Sequence, residues 1–194
     1  MSRRAVLAAC VIAVAASCGY RFPGAGPHLP PEARTISIEP FVNRTRERGL
    51  EIALQRAIEE EFRRRGPLRV VDGPMGDLVL SGTIRRFSSP PVAFGTGDEA
   101  VRYRGTLQVA VRLRERSSGA VLFRARAIQE SLDFVGTPGV LVTSSPRFQQ
   151  GTLQARDLLE MTNVQLIEAR RRDALAQLVE AIAREAYVQA MEAF

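Results

Sequence analysis

The chain has 194 residues, and its 27 basic residues, all arginine, outnumber 21 acids to give a formal net charge of +6. Without lysine there is no phosphate-loop lysine and no Schiff-base chemistry. The single histidine, His28, sits in a proline-rich stretch. That excludes His–Ser and His–Cys pairs in a packed site and any metal cluster rich in nitrogen and sulfur. No metal or cofactor is therefore expected, and the absence of tryptophan argues against a sugar-stacking site.

Arg3 and Arg4 head an apolar run of twelve residues, Ala5 to Ala16, followed by Ser17-Cys18-Gly19. As a helix that run rises about 18 Å, short of the roughly 30 Å of a hydrocarbon core. The charged start, short apolar core and small residues read as an export signal, not a spanning helix. Ala15-Ala16-Ser17-Cys18 has the form of a lipobox, with Ala15 where leucine is usual, so the Cys18 thiol is expected to carry lipid. Leu7-Ala8-Ala9-Cys10 matches by letters, but only Ala5 to Ala9 would precede it as apolar core. Ser2-Arg3-Arg4 fits either a twin-arginine signal or an ordinary positive start.

Residues 1–17 are thus expected as a signal, 18–33 as an acylated tether, and 34–194 as one domain. The tether holds four prolines and three glycines between Gly19 and Ala33 and cannot form helix. Removing 17 residues from 194 leaves 177, enough for one core, with Cys18 the sole cysteine and no intramolecular disulfide. Export and a lipid anchor exclude nucleic acid, which the basic balance alone would admit.

Thr35 to Phe41 alternates, with Ile36 and Ile38 on one side, and predicts a strand. Asn43-Arg44-Thr45 predicts a turn with local side-chain hydrogen bonds. Leu50, Leu54, Ala57, Ile58 and Phe62 recur at helical spacing, and Gly66-Pro67 ends that helix. Burying Leu50, Leu54, Ile58 and Phe62 is worth roughly 1.5–3 kcal/mol each, so the helix must lie on a sheet. Leu68 to Asp72 predicts a short strand, Gly73-Pro74 a turn, and Asp77 to Ile84 a strand with Leu78, Leu80 and Ile84 on one face. Ser88 to Ala100 reads as loop. No lysine follows Gly95-Thr96-Gly97 and no helix opens there, so these glycines are not a phosphate cradle.

Val101 to Glu115 alternates strongly. Val101, Tyr103, Leu107, Val109, Val111 and Leu113 face one way; Arg102, Arg104, Gln108, Arg112 and Arg114 face the other. Ser117-Ser118-Gly119 predicts a three-residue hairpin loop with a left-handed glycine. The returning strand, Ala120 to Glu130, then sets Val121, Phe123 and Ala125 opposite Glu115, Leu113 and Val111, and Arg112 opposite Arg124. Like charges facing each other are mildly destabilising. Two readings fit the set Arg102, Arg104, Arg112, Arg114, Arg124 and Arg126: ordinary solvated alternation, or a surface for an anionic partner such as lipid phosphate.

Asp133 to Gln150 shows no period and reads as a long loop. Leu153 to Ala193, free of glycine and proline, predicts a helix that protrudes or breaks near Thr162-Asn163 and buries Leu166, Leu175, Leu178, Val179, Ile182 and Ala186. Arg170-Arg171-Arg172 and Glu59-Glu60-Glu61 read as solvated helix faces. Nothing here assembles a catalyst; the chain reads as one that binds.

Several ordered segments resemble the LptE family of lipopolysaccharide-assembly lipoproteins. They are Cys18-Gly19-Tyr20-Arg21-Phe22; Ile36-Ser37-Ile38-Glu39-Pro40-Phe41-Val42-Asn43-Arg44-Thr45; Gly49-Leu50-Glu51-Ile52-Ala53-Leu54; Glu60-Glu61-Phe62; and Asp77-Leu78-Val79-Leu80-Ser81-Gly82-Thr83-Ile84. The resemblance implies an α+β two-layer sandwich, two helices on one face of an about four-stranded mixed sheet. It further implies a protein on the periplasmic side of the outer membrane that plugs an LptD-like β-barrel and contacts lipopolysaccharide. The same strand–helix–hairpin order also resembles envelope lipoproteins that activate peptidoglycan synthases or build secretion channels.

Overall fold

A computed structural model of the chain describes residues 29–95, 100–136 and 155–192, with side chains from residue 165 onward in the last stretch. Cys18, His28 and residues 137–150 of the expected loop lie outside the described residues. In chain order the elements are β1 (Thr35–Ile38), β2 (Val42–Asn43), α1 (Leu50–Arg65), β3 (Arg69–Val70), β4 (Leu78–Ser88), β5 (Pro91–Phe94), β6 (Ala100–Glu115), β7 (Val121–Val135) and α2 (Ala155–Glu192).

The fold is α+β: both helices pack on one face of a mixed sheet. Seven strand segments take the place of about four, because short pieces lie end to end. β1 and β2 follow one another along β4, in parallel, while β4 and β5 follow one another along β6, antiparallel. β3 closes one edge beside β1, and β7 pairs with the opposite side of β6. α1 supplies the crossover that the parallel β1–β3 neighbours require.

The core forms between the layers. Leu54, Ile58 and Phe62 of α1 are wholly buried, as are Leu78, Leu80 and Ile84 of β4, Leu107, Val109 and Leu113 of β6, and Ile182 and Ala186 of α2. The two helices meet at Phe62 and Tyr187, whose rings lie edge to face at 5.0 Å. The alternation expected of β6 is the one observed: its odd-numbered residues enter the core and its even-numbered ones leave it.

Several expectations needed correction. The first strand stops at Ile38, since Pro40 has no N–H for the ladder, and Phe41 turns inward to lie against Gly82. Any Cβ at Gly82 would sit 2.2 Å from the Phe41 ring and 2.6 Å from the Ala110 carbonyl oxygen. The stretch read as loop from Ser88 contains β5, whose proline occupies the first strand position, where a missing donor does little harm. β7 runs on to Val135 instead of ending near Glu130, and Phe134 stacks on Tyr103 with ring centroids 5.4 Å apart. The hairpin loop is longer than three residues: Glu115 N–H bonds Ala120 O across Arg116–Gly119, and Gly119 has φ +72°. Val121 consequently pairs with Arg114, not Glu115.

α2 is unbroken through Thr162-Asn163, and its 38 residues span about 57 Å. Arg170 is exposed, but Arg171 is held by several partners. It pairs with Glu47, donates to Ser89 Oγ at 3.2 Å, and lies 5.0 Å from the Phe87 ring centroid. Glu61 is likewise not solvated: it is 7% exposed and pairs with Arg64 and Arg65.

Two polar clamps fix the turns. Asn43 Oδ1 accepts from Thr45 N–H at 2.9 Å, and Asn43 Nδ2 donates to Glu51 at 2.7 Å, which ties the expected turn to the first turn of α1. Asp77 accepts from Arg34 N–H and Thr35 N–H at 3.0 Å and from Thr35 Oγ1 at 2.8 Å, joining the start of β1 to the start of β4.

Two predictions follow from these contacts. Replacing Gly82 with alanine overpacks the Phe41 contact and lowers stability by about 1–3 kcal/mol, measurable by urea unfolding. The Arg34 N–H bond, with the Thr35 bonds, holds the Asp77 carboxyl below its ordinary value. Its contribution is therefore present above the unfolded value of about 3.9 and is lost as pH falls through the lower folded value. Asp77→Asn is expected to be less stable than wild type at neutral pH, with the gap between their melting temperatures shrinking in acid.

Candidate anion-binding groove on the bare sheet face

With both helices on one side, no described helix covers the other face of the sheet. The turn at Gly73–Gly76 lies against its β1 end, where Ser37 and Val79 are buried, and the outward residues of β6 and β7 define the open remainder. Strand β6 places Arg102, Arg104, Arg112 and Arg114 there, and β7 adds Arg124 and Arg126. The structure divides this set in two.

At one end, Arg104 Nε donates to Asp133 at 2.7 Å and its Nη2 at 3.0 Å, a two-pronged pair. The Arg104 bond holds the Asp133 carboxyl below its ordinary value, and the nearby Arg102 charge acts in the same direction. Arg104 is neutralised at this end. At the other end, Arg112 stands directly opposite Arg124 in the register, as expected. Both line an open groove of about 670 Å³ with Arg126, Arg85, Ser81, Thr83 and Glu39. Arg114 is drawn aside, its Nη2 donating to Glu39 Oε1 at 2.7 Å.

Arg85 was not among the residues singled out from alternation. It continues the outward parity of Ser81 and Thr83. The β4–β6 register shifts just after Ile84, so Arg85 is also the extra residue of a bulge that keeps Phe87 on the core side opposite Leu107. A second bulge lies across the groove: Val109 and Val111 pair with Ile128 and Ala125, so both Arg126 and Ala127 face the single Ala110. Two bulges therefore present arginines to one concavity, and Ala110 contributes a small residue to its lining. The signal that could have found Arg85 is weak: Ser81 and Thr83 precede it at the outward parity of β4.

Among the described residues no carboxylate pairs with Arg85, Arg112, Arg124 or Arg126, and Glu39 is the only acid lining the groove. Guanidinium forks left in this state suit phosphate or carboxylate oxygens. No group of acids, histidines or cysteines able to hold a metal ion occurs among the described residues, and no described helix is long and apolar enough to cross a membrane.

The model of the lipopolysaccharide-assembly family LptE matches residues 33–189. The chain belongs to the LptE family. LptE proteins are non-catalytic lipoproteins of lipopolysaccharide assembly, which agrees with a site that offers charge and no reactive group. Comparison with curated proteins gave no significant match. Among solved structures, a lipoprotein from Caulobacter crescentus CB15 is 15% identical at a TM-score of 0.48, over 79% of this chain and 87% of that one. The PelC dodecamer from Paraburkholderia phytofirmans gives 14% and 0.41, over 80% and 91%. A minor lipoprotein from Acinetobacter baumannii gives 11% and 0.41, over 83% and 93%. Likenesses this distant assign nothing to the LptE groove.

Because Arg112 and Arg124 repel across the strand pair, Arg124→Gln is expected to leave stability unchanged or raise it by a few tenths of a kcal/mol. Urea unfolding checks this; a loss above about 1 kcal/mol would mean that Arg124 holds the fold together.

Proposed function

We propose that the chain is a lipid-anchored component of lipopolysaccharide assembly, attached through Cys18 on the periplasmic side of the outer membrane. Its domain plugs the lumen of an LptD-like β-barrel, and the bare face of its sheet receives the phosphates of lipopolysaccharide as it passes to the outer leaflet. The reading is carried by one observation. Arg85, Arg112, Arg124 and Arg126 line a single open groove with one acid among them. Arg104, paired with Asp133, Arg114, held by Glu39, and Arg102, which lies outside the groove, contribute less to binding than the expected set of six implied.

Family membership supports the assembly role, and the 157-residue extent of the match, residues 33–189, covers every strand, all of α1 and α2 up to residue 189. A wedge with one apolar layer and one arginine-rich face suits a protein that holds a charged lipid without transforming it. Phosphate contacts made by several forks also imply steep salt dependence, because exposed charges are screened within roughly 10 Å at 0.1 M salt.

The test has two arms. Tagged chain solubilised from envelope is expected to co-purify with a large β-barrel; recovery of a peptidoglycan synthase or a homo-oligomeric ring in its place contradicts the assembly reading. In the second arm, Arg112→Glu with Arg124→Glu is expected to lower lipopolysaccharide affinity at least tenfold, since both forks are lost and two repulsive charges are gained. Unchanged binding by that double variant rules the groove out as the contact.

A further inference from the structure

Within that groove, one ion pair stands apart. Glu39 follows β1 directly, and its backbone N–H is fixed to Leu80 O at 2.9 Å, so the residue is pinned at the groove's edge. Its side chain lines the groove and takes Arg114 Nη2 at 2.7 Å. Arg114 is two residues from Arg112 on β6 and shares its outward parity, opposite Val79. Absent Glu39, the Arg114 fork would belong to the same cationic row. The pair is only part-exposed, with side-chain accessibilities of 29% for Arg114 and 35% for Glu39.

Resting on the reading of the groove given above, we propose that Glu39 is a built-in placeholder anion that limits the groove's affinity for phosphate-bearing glycolipid. It occupies a fifth guanidinium, Arg114, and sets a negative charge where the ligand's own anionic group would lie. The pair joins the end of β1 to β6, but the backbone N–H of Glu39 already ties this residue to β4, and its carboxylate lines the groove. A carboxylate amid four arginines that have no acidic partner among the described residues lowers the positive potential of the site, which weakens anion binding and speeds release. For a protein that passes its ligand on, moderate affinity is the useful property: tight capture by five forks would stall transfer. Glu39 and Arg114 are thus positioning residues, acting on the ligand through the charge they withhold from each other.

The test measures binding of fluorescent lipopolysaccharide to the full-length chain in detergent, across a salt series. Glu39→Gln keeps shape and removes charge. It is expected to raise affinity by about threefold or more at low salt and to steepen the salt dependence by about one ion, because one further arginine now meets the ligand. The double variant Glu39→Gln, Arg114→Gln is expected to return both quantities to near wild type. Melting temperatures of each variant establish folding, and Glu39→Ala serves if the glutamine variant is unfolded. No gain in Glu39→Gln, or a gain that persists undiminished in the double variant, overturns the placeholder role. Failure of the groove itself looks different. There Arg112→Gln and Arg124→Gln bind as wild type does, whereas with a real groove and an idle Glu39 those two weaken binding and Glu39→Gln changes nothing.

Discussion

Apolar burial on one side of the sheet is the constraint from which the other features descend. The stripes of α1 and α2 have only one place to go, the face formed by Leu78, Leu80 and Ile84 of β4 and Leu107, Val109, Val111 and Leu113 of β6. Each of these larger side chains contributes roughly 1.5–3 kcal/mol by leaving water, far more than any surface pair. Both helices being spent on that layer, no described helix covers the opposite face, which stays open along β6 and β7. A strand buried on one side must alternate, and alternation in an arginine-only chain puts guanidinium groups in rows on the other. The basic face is therefore a consequence of the core, while its shape is not: that comes from the bulges.

This difference separates the features that the amino-acid order carries from those it does not. α1 was legible to the residue, since helical spacing from Leu50 to Phe62 and the Gly66-Pro67 stop leave little freedom. The parity of β6 and the Arg112–Arg124 pairing were legible for the same reason, because a period of two is strict wherever one face is buried. Bulges were not, because one extra residue leaves no mark in composition; Arg85 was missed for a different reason, that the outward parity of Ser81 and Thr83 was not carried one step past Ile84. Pairing partners were also hidden. Nothing local announces that Asp133 neutralises Arg104 or that Glu39 holds Arg114, since those acids lie far along the chain. β5 was hidden by Pro90-Pro91, which resembles a loop until Pro91 is seen to sit at a strand's first position. Arg171 looked like part of a solvated run because its partners, Glu47, Ser89 and Phe87, are distant in sequence.

The electrostatic design is one of graded neutralisation along a single face. Near Asp133 one arginine is paired, near Glu39 one is withheld, and between them four line the groove with no acidic partner among the described residues. Placing like charges opposite one another costs a fraction of a kcal/mol up to about 1. A fold with a well-filled core tolerates that, and an arriving polyanion removes it. A site of this kind binds through charge and shape and needs no reactive group, in keeping with the LptE family's non-catalytic role.

The central claim is that the bare face, not the helical one, meets the ligand. A photo-crosslinking amino acid placed at Thr83 in the groove, and separately at Ile52 on α1, tests it most directly in intact envelopes. The account predicts a lipopolysaccharide adduct from Thr83 and none from Ile52. Adducts from Ile52 with Thr83 silent would contradict it.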